Sequence, residues 1–268
     1  MARRSVKFVL AAIALAAVGG GVWWWYESQT ACCAYPDEPE FPVPQGERPK
    51  LGLMTSLPLY WPLGADMAAI ASGTAETPWQ RELLERGFEL VPLDTLSPIA
   101  GLMEGEAETD PLAGLERLAV IQPRGLSPAD NVALDAWVRK GGQLLLVLDP
   151  LLTGEYAFAL GDPRRPADTA LIPPVVERWG LAVAYDDTQE ATRSVQIGER
   201  DFTVVQAGEV SLIADANSCA ILGKGVAARC TIGAGTVILI ADAALFEHRE
   251  LAGANGESIQ ALMDFAWD

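Results

Sequence analysis

Ser127-Pro-Ala-Asp-Asn-Val-Ala-Leu-Asp-Ala-Trp137-Val-Arg-Lys-Gly-Gly142-Gln-Leu-Leu-Leu-Val-Leu148-Asp-Pro150 holds a helix, its stop and a strand in one run. Ser127 is a capping residue, Pro128 takes the first helical position, and Asp130 stands three residues after the cap. Leu134, Trp137 and Val138 supply an apolar stripe at i, i+3 and i+4, and Gly141-Gly142 ends the helix. The uninterrupted apolar stretch after Gln143 has no polar face, which is the mark of a parallel strand covered on both sides. It stops at Asp149-Pro150.

The same alternation extends in both directions. Leu51-Gly-Leu-Met-Thr-Ser-Leu57 reads as a first strand, Trp79 to Arg86 as a helix stopped by Gly87, Phe88-Glu-Leu-Val91 as a second strand and Leu118-Ala-Val-Ile-Gln122 as a third. Beyond Pro150, a helix is expected within Thr169 to Gly180, followed by Leu181-Ala-Val-Ala-Tyr185. Gly235-Thr-Val-Ile-Leu-Ile-Ala-Asp242 is a second doubly buried strand, and Ser258 to Trp267 is a helix with Ile259, Leu262 and Ala266 on one face. Such β and α units predict an α/β fold with a three-layer, mostly parallel sheet over 51–268. Residues 193–232 break the rhythm and predict an inserted antiparallel β region.

Within that region Cys219 and Cys230 flank two short strands around Gly223-Lys224-Gly225. With a loop at Lys224-Gly225, facing residues have numbers that sum to 449, so Cys219 and Cys230 face each other and can form a cross-strand disulfide. The alternative is a pair of small buried thiols.

Charge is distributed unevenly. The 268 residues carry 19 Lys and Arg against 36 Asp and Glu, a net −17. Residues 1–26 contain Arg3, Arg4 and Lys7 and no carboxylate, so the rest has 16 cations against 36 carboxylates, a net −20. That body repels phosphate backbones and anionic lipid headgroups, which argues against a nucleic-acid binder and against a polybasic membrane-surface module. Phe8 to Tyr26 is an uncharged stretch of nineteen residues, roughly 28 Å as a helix and enough to span a bilayer core. Cations before it and Glu27 after it place the N-terminus in the cytoplasm and the body outside, with Trp23, Trp24, Trp25 and Tyr26 at the outer interface. A cleaved signal peptide and a lipoprotein signal at Cys32 compete with the anchor, and all three readings export the body. Five prolines (Pro36, Pro39, Pro42, Pro44 and Pro49) make 27–50 a semi-rigid tether. Cys32 and Cys33 within it are open to interchain bridging, lipidation or remaining free.

The residues Leu118-Ala-Val-Ile-Gln-Pro123, Leu126-Ser127 and Trp137 to Pro150 resemble the glutamine-amidotransferase-like domain of the GldG family. Gly233 to Phe246 and Asn255 to Asp264 are similar to the closing strand and helix of the same domains. The resemblance implies an auxiliary component of an ABC-type export system in the cytoplasmic membrane, with permease and ATPase subunits as partners. Amidotransferase chemistry is not implied. The strand ends in Asp149-Pro150 without the catalytic Cys, and the sole histidine, His248, has no Cys to serve.

No phosphate-binding glycine loop is present and too few N/S ligands exist for zinc, so neither cofactor nor metal is expected. Ligands of open α/β sheets bind beyond the carboxyl ends of the strands. That rule selects Thr55, Ser56, Tyr60, Trp61 and Arg124 as ligand-binding candidates. Asp149 and Asp242 are the candidates for a carboxylate pair doing acid/base hydrolysis, the alternative to a non-catalytic scaffold. Arg124 is expected to pair with Asp149, and Tyr60 and Trp61 to cover the edge of the sheet.

Overall fold

A computed structural model describes residues 48–101, 103, 106–213 and 218–267. The expected anchor and tether lie outside them, except for Arg48 to Lys50. Among the described residues no helix is long and apolar enough to cross a membrane.

The fold is mixed α/β around a mostly parallel sheet. Its strands are β1 (Lys50–Thr55), β2 (Glu89–Pro92), β3 (Arg117–Ile121), β4 (Gln143–Val147), β9 (Cys219–Leu222), β10 (Ala227–Ile232) and β11 (Gly235–Ile240). They are ordered β2-β1-β3-β4-β11-β10-β9. The pairs β1–β2, β1–β3, β3–β4 and β4–β11 are parallel, whereas β10 runs antiparallel to β11 and to β9. Strand order reverses at β1/β3.

The runs of unbroken hydrophobicity are buried on both faces. Ala119, Ile121, Leu145, Val147, Ile238 and Ile240 enter one core, and the alternate residues Leu118, Val120, Leu144, Leu146, Val237 and Leu239 enter the other. The first core is covered by α2 (Trp79–Gly87) and α6 (Glu257–Trp267). The second is covered by α3 (Pro128–Arg139) and α4 (Pro174–Arg178). A five-residue helix, α1 (Met67–Ala71), and a four-residue one, α5 (Ala244–Glu247), complete the α-helices of the described residues.

The start of α3 follows the local chemistry. Ser127 Oγ accepts from Asp130 N, and the Asp130 carboxylate accepts from Ser127 N, a reciprocal cap that satisfies two donors with no helical partner. At its end Gly142 sits under Trp137, where a Cβ would meet the indole at 2.4 Å. The expected helix in 169–180 shortens to α4, because Pro173 caps it, Pro174 takes its first position and residues 169–173 carry no helical structure.

The antiparallel region divides three ways. β5 (Leu181–Ala184) pairs with β8 (Glu209–Leu212), β6 (Thr192–Ile197) pairs with β7 (Arg200–Val205), and β9 and β10 extend the main sheet. Cys219 and Cys230 are direct partners and are joined by a disulfide, with Cα atoms 4.0 Å apart. The loop is Gly223 to Val226 and not the two residues expected, but its centre is the same, so Leu222 faces Ala227 and the register is preserved.

Candidate functional site

The carboxyl ends of β1, β3, β4 and β11 meet at one pole, and the chain itself covers them. Gln122, the residue after β3, has a left-handed φ of 44°, an uncommon conformation for a non-glycine residue. Its fully buried amide acts as a stand-in peptide group. Oε1 accepts from Asp149 N at 2.8 Å, and Nε2 donates to the carbonyls of Asp149 (3.0 Å) and Ala167 (2.8 Å). Ser56 Oγ donates to Gln122 O at 2.5 Å and accepts from Ala167 N at 3.2 Å. Ala170 N donates to Asp149 O. The segment between β4 and α4 is therefore drawn across the strand ends at β1/β3, where the topology would otherwise leave a crevice.

Asp149 and Asp242 lie together beneath that cover, 0% and 5% exposed. Asp149 accepts from Leu151 N and Ala243 N, both at 2.8 Å. Asp242 accepts from Val205 N at 2.7 Å and Ala244 N at 2.8 Å. Each of the four carboxylate oxygens thus accepts one main-chain N–H. Burial, followed by the charge of Asp242, pushes Asp149 up to about 8, against the pull of its two amide bonds. Burial pushes Asp242 up to about 7, while its amide bonds and Arg193 pull the other way.

A third carboxylate, unnoticed in the sequence, organises the loop after β4. Glu247 accepts from Thr153 N (3.0 Å), Gly154 N (3.0 Å) and Tyr156 OH (2.5 Å). Burial and then the Glu247 charge hold the Tyr156 phenol above its ordinary range. Next to it Thr153 Oγ1 is 2.9 Å from His248 Nε2, a hydroxyl–imidazole contact. The amides of Thr153 and Gly154 donate to Glu247 and so are not available as oxyanion donors for this pair. The only sequence signal for this cluster is the polar run Glu247-His248 after an apolar strand and short helix.

The remaining candidates are dispersed. Thr55 Oγ1 accepts from Leu57 N and so turns inward, like Ser56. Arg124 is exposed and forms no ion pair with Asp149, correcting the expected bridge: the buried carboxylate is satisfied from the main chain and a guanidinium would have to be desolvated to reach it. Tyr60 and Trp61 contact edge to face at 5.0 Å, with the Arg81 guanidinium 4.1 Å from the Tyr60 ring centroid. Tyr60 packs against the core as expected of a cover, whereas Trp61 stays 42% exposed. Beside this loop lies an open cleft of about 390 Å³, lined by Pro58, Pro62, Trp79, Glu82 and Arg249 among others. Among the described residues no group of three or more His, Cys, Asp and Glu is placed to hold a metal.

No family model matches the chain. No curated protein matches it either. Among solved structures it is similar to an exo-β-1,4-mannosidase from Opitutaceae bacterium strain TAV5, with a TM-score of 0.45 and 13% identity over 83% of this chain and 35% of that one. A β-galactosidase from Rahnella sp. R3 gives 0.44 and 12% over 81% and 31%, and a cytoplasmic protein from Salmonella typhimurium LT2 gives 0.34 and 10% over 69% and 82%. The chain spans about a third of the length of the two glycosidases.

Proposed function

We propose that the protein is a single-pass, exported α/β domain that works through binding and not through catalysis, as an accessory or scaffold component of an ABC-type transport system. The observation that supports the non-catalytic part is the burial of Asp149 and Asp242, 0% and 5% exposed, with one main-chain donor on each carboxylate oxygen and a cover pinned by Gln122 and Ser56. Each oxygen keeps a second lone pair, but carboxylates so deeply buried have no open path to a substrate. The order β2-β1-β3-β4-β11 supports the finer assignment to a flavodoxin-like, amidotransferase-like fold. Export and anchoring rest on Arg3, Arg4, Lys7 and the apolar stretch to Tyr26. The transport role rests on the resemblance at Leu118 to Pro150 and Gly233 to Asp264.

Cross-linking of the full chain in its native membrane tests this reading. Recovery of a permease and an ATP-hydrolysing subunit is the expected result; their absence from the cross-linked products removes the transport role. The second reading, an envelope hydrolase using Asp149 and Asp242, draws on the raised pKa values of both carboxyls, which put their titration near neutrality. A hydrolytic activity of the full chain that is lost in both Asp149→Asn and Asp242→Asn, with the fold retained, would establish it and end the scaffold reading.

A further inference from the structure

The β1/β3 crevice is covered, but the open cleft of about 390 Å³ beside the Tyr60-Trp61 loop lies outside that cover. Three segments at the carboxyl ends of the strands converge on it. Pro58 and Pro62 follow β1, Glu76 to Glu82 contain the start of α2, and Arg249 comes just after α5. Its volume falls within the roughly 300–1,000 Å³ typical of small-molecule sites.

The walls of this cleft are fixed by contacts outside it. Gln80, which is buried, donates from Nε2 to Phe246 O at 2.8 Å and so ties the first turn of α2 to α5. That bond fixes Glu82 relative to Arg249, and Gln80 Oε1 accepts from no group among the described residues. Trp79 is half-buried and packs on the first core. Trp61, the residue before Pro62, is exposed yet held in place. Tyr60 meets it edge to face, and the Arg81 guanidinium lies 5.1 Å from its ring centroid while paired to Glu85 at 2.7 Å. A fixed indole loses little freedom when a ligand packs on it.

The polar groups of the cleft select the ligand. Among the described residues the side chains of Glu76, Thr77, Glu82 and Arg249 form no hydrogen bond or ion pair. Ionised carboxylates only accept and a guanidinium only donates, so one ligand serving both needs polar groups that do both. Hydroxyls meet that requirement, whereas an ammonium only donates. Two carboxylates against one guanidinium also oppose an anion. An indole between proline walls supplies the apolar surface on which the C–H face of a sugar ring packs.

We propose that this cleft binds a neutral saccharide, packed on Trp79 and Trp61 and hydrogen-bonded through its hydroxyls to Glu82 and Arg249. This rests on the reading of the protein as a binding domain and names its ligand class; the transport role can fail without it. The test titrates cellotetraose and chitotetraose, whose equatorial substituents leave flat ring faces, into the full chain in a detergent without a sugar headgroup. Calorimetry reads binding and amide hydrogen exchange reads its place. Saturable heat with one or both saccharides is expected, with slowed exchange confined to 58–63, 76–82 and 247–250. Glu82→Gln and Arg249→Gln, both at exposed positions, should keep the urea midpoint and each weaken binding about tenfold. No heat with either saccharide overturns the site, as does heat that neither variant reduces. Protection of the same segments by a decaproline peptide, without saccharide binding, overturns it in favour of a peptide groove; protection by inorganic phosphate alone does so in favour of an anion site. Cleavage of a bound saccharide upholds the site and ends the non-catalytic reading, whereas loss of the permease from the cross-linked products leaves the saccharide result standing.

Discussion

Asp130 and Asp149 are both buried carboxylates following a serine or strand signal in the same stretch of sequence, yet their environments push them in opposite directions. Asp130 is 6% exposed, and burial raises its pKa. The bonds it accepts from the Ser127 and Thr95 hydroxyls and from the amides of Leu96 and Ser97 outweigh that effect and hold it below the usual carboxylate range. Asp149 has two amide donors and a second carboxylate beside it, so burial wins. The depth of burial, weighed against the donors and like charges around each carboxyl, fixes the sign.

The comparison is broken most strongly at Asp130. Asp130→Ala removes the reciprocal cap of α3 and the anchor of the 95–97 turn, and about 4 kcal/mol of unfolding free energy is expected to go with it. Urea denaturation measures this; a loss under about 1 kcal/mol would mean the charged bonds contribute little beyond the cap.

Glu247→Gln is the intermediate case. A neutral amide cannot accept from Thr153 N, Gly154 N and Tyr156 OH together, and a loss of about 2 kcal/mol is expected, with faster hydrogen exchange confined to 151–156. Uniform exchange changes across the sheet would contradict a local clamp.

Asp149→Asn is expected to have the smallest effect, about 1 kcal/mol near pH 6, since the carboxyl there is already neutral and one of its two amide bonds survives. Its signature is the pH profile. The folded pKa of about 8 lies above the ordinary 3.8, so between those values the folded protein keeps a proton that the unfolded chain has released. Stability therefore falls as pH rises through that window, by at most about 1.4 kcal/mol per unit for one proton. The Asn variant should flatten that decline, and an unchanged slope would assign it to Asp242 alone. Asp130 contributes in the reverse sense: its stabilisation is full above its unfolded pKa near 3.8 and is lost only as pH falls through the lower folded value.

These contrasts show where sequence reasoning reaches. The capping of α3 was legible because its partners are three residues apart, and the other bonds of Asp130 were not, because Thr95, Leu96 and Ser97 come from a distant turn. Asp149 and Asp242 were identified as strand-end neighbours, but the bonds they accept from Ala243 N, Ala244 N and Val205 N depend on how β11 and β7 meet. The expected Arg124 bridge failed for the same reason: sequence proximity to a strand end says nothing of which donors the main chain brings there first.

By itself the sequence determined the alternation of strands and helices, the doubly buried strands at 143–147 and 235–240, and the register that joins Cys219 to Cys230. Each depends on local periodicity or on symmetry about a turn, which short segments encode in full. Tertiary structure decided the rest. Closure of the β1/β3 crevice and the opposite titration of two similar aspartates both require residues far apart in the chain to come together.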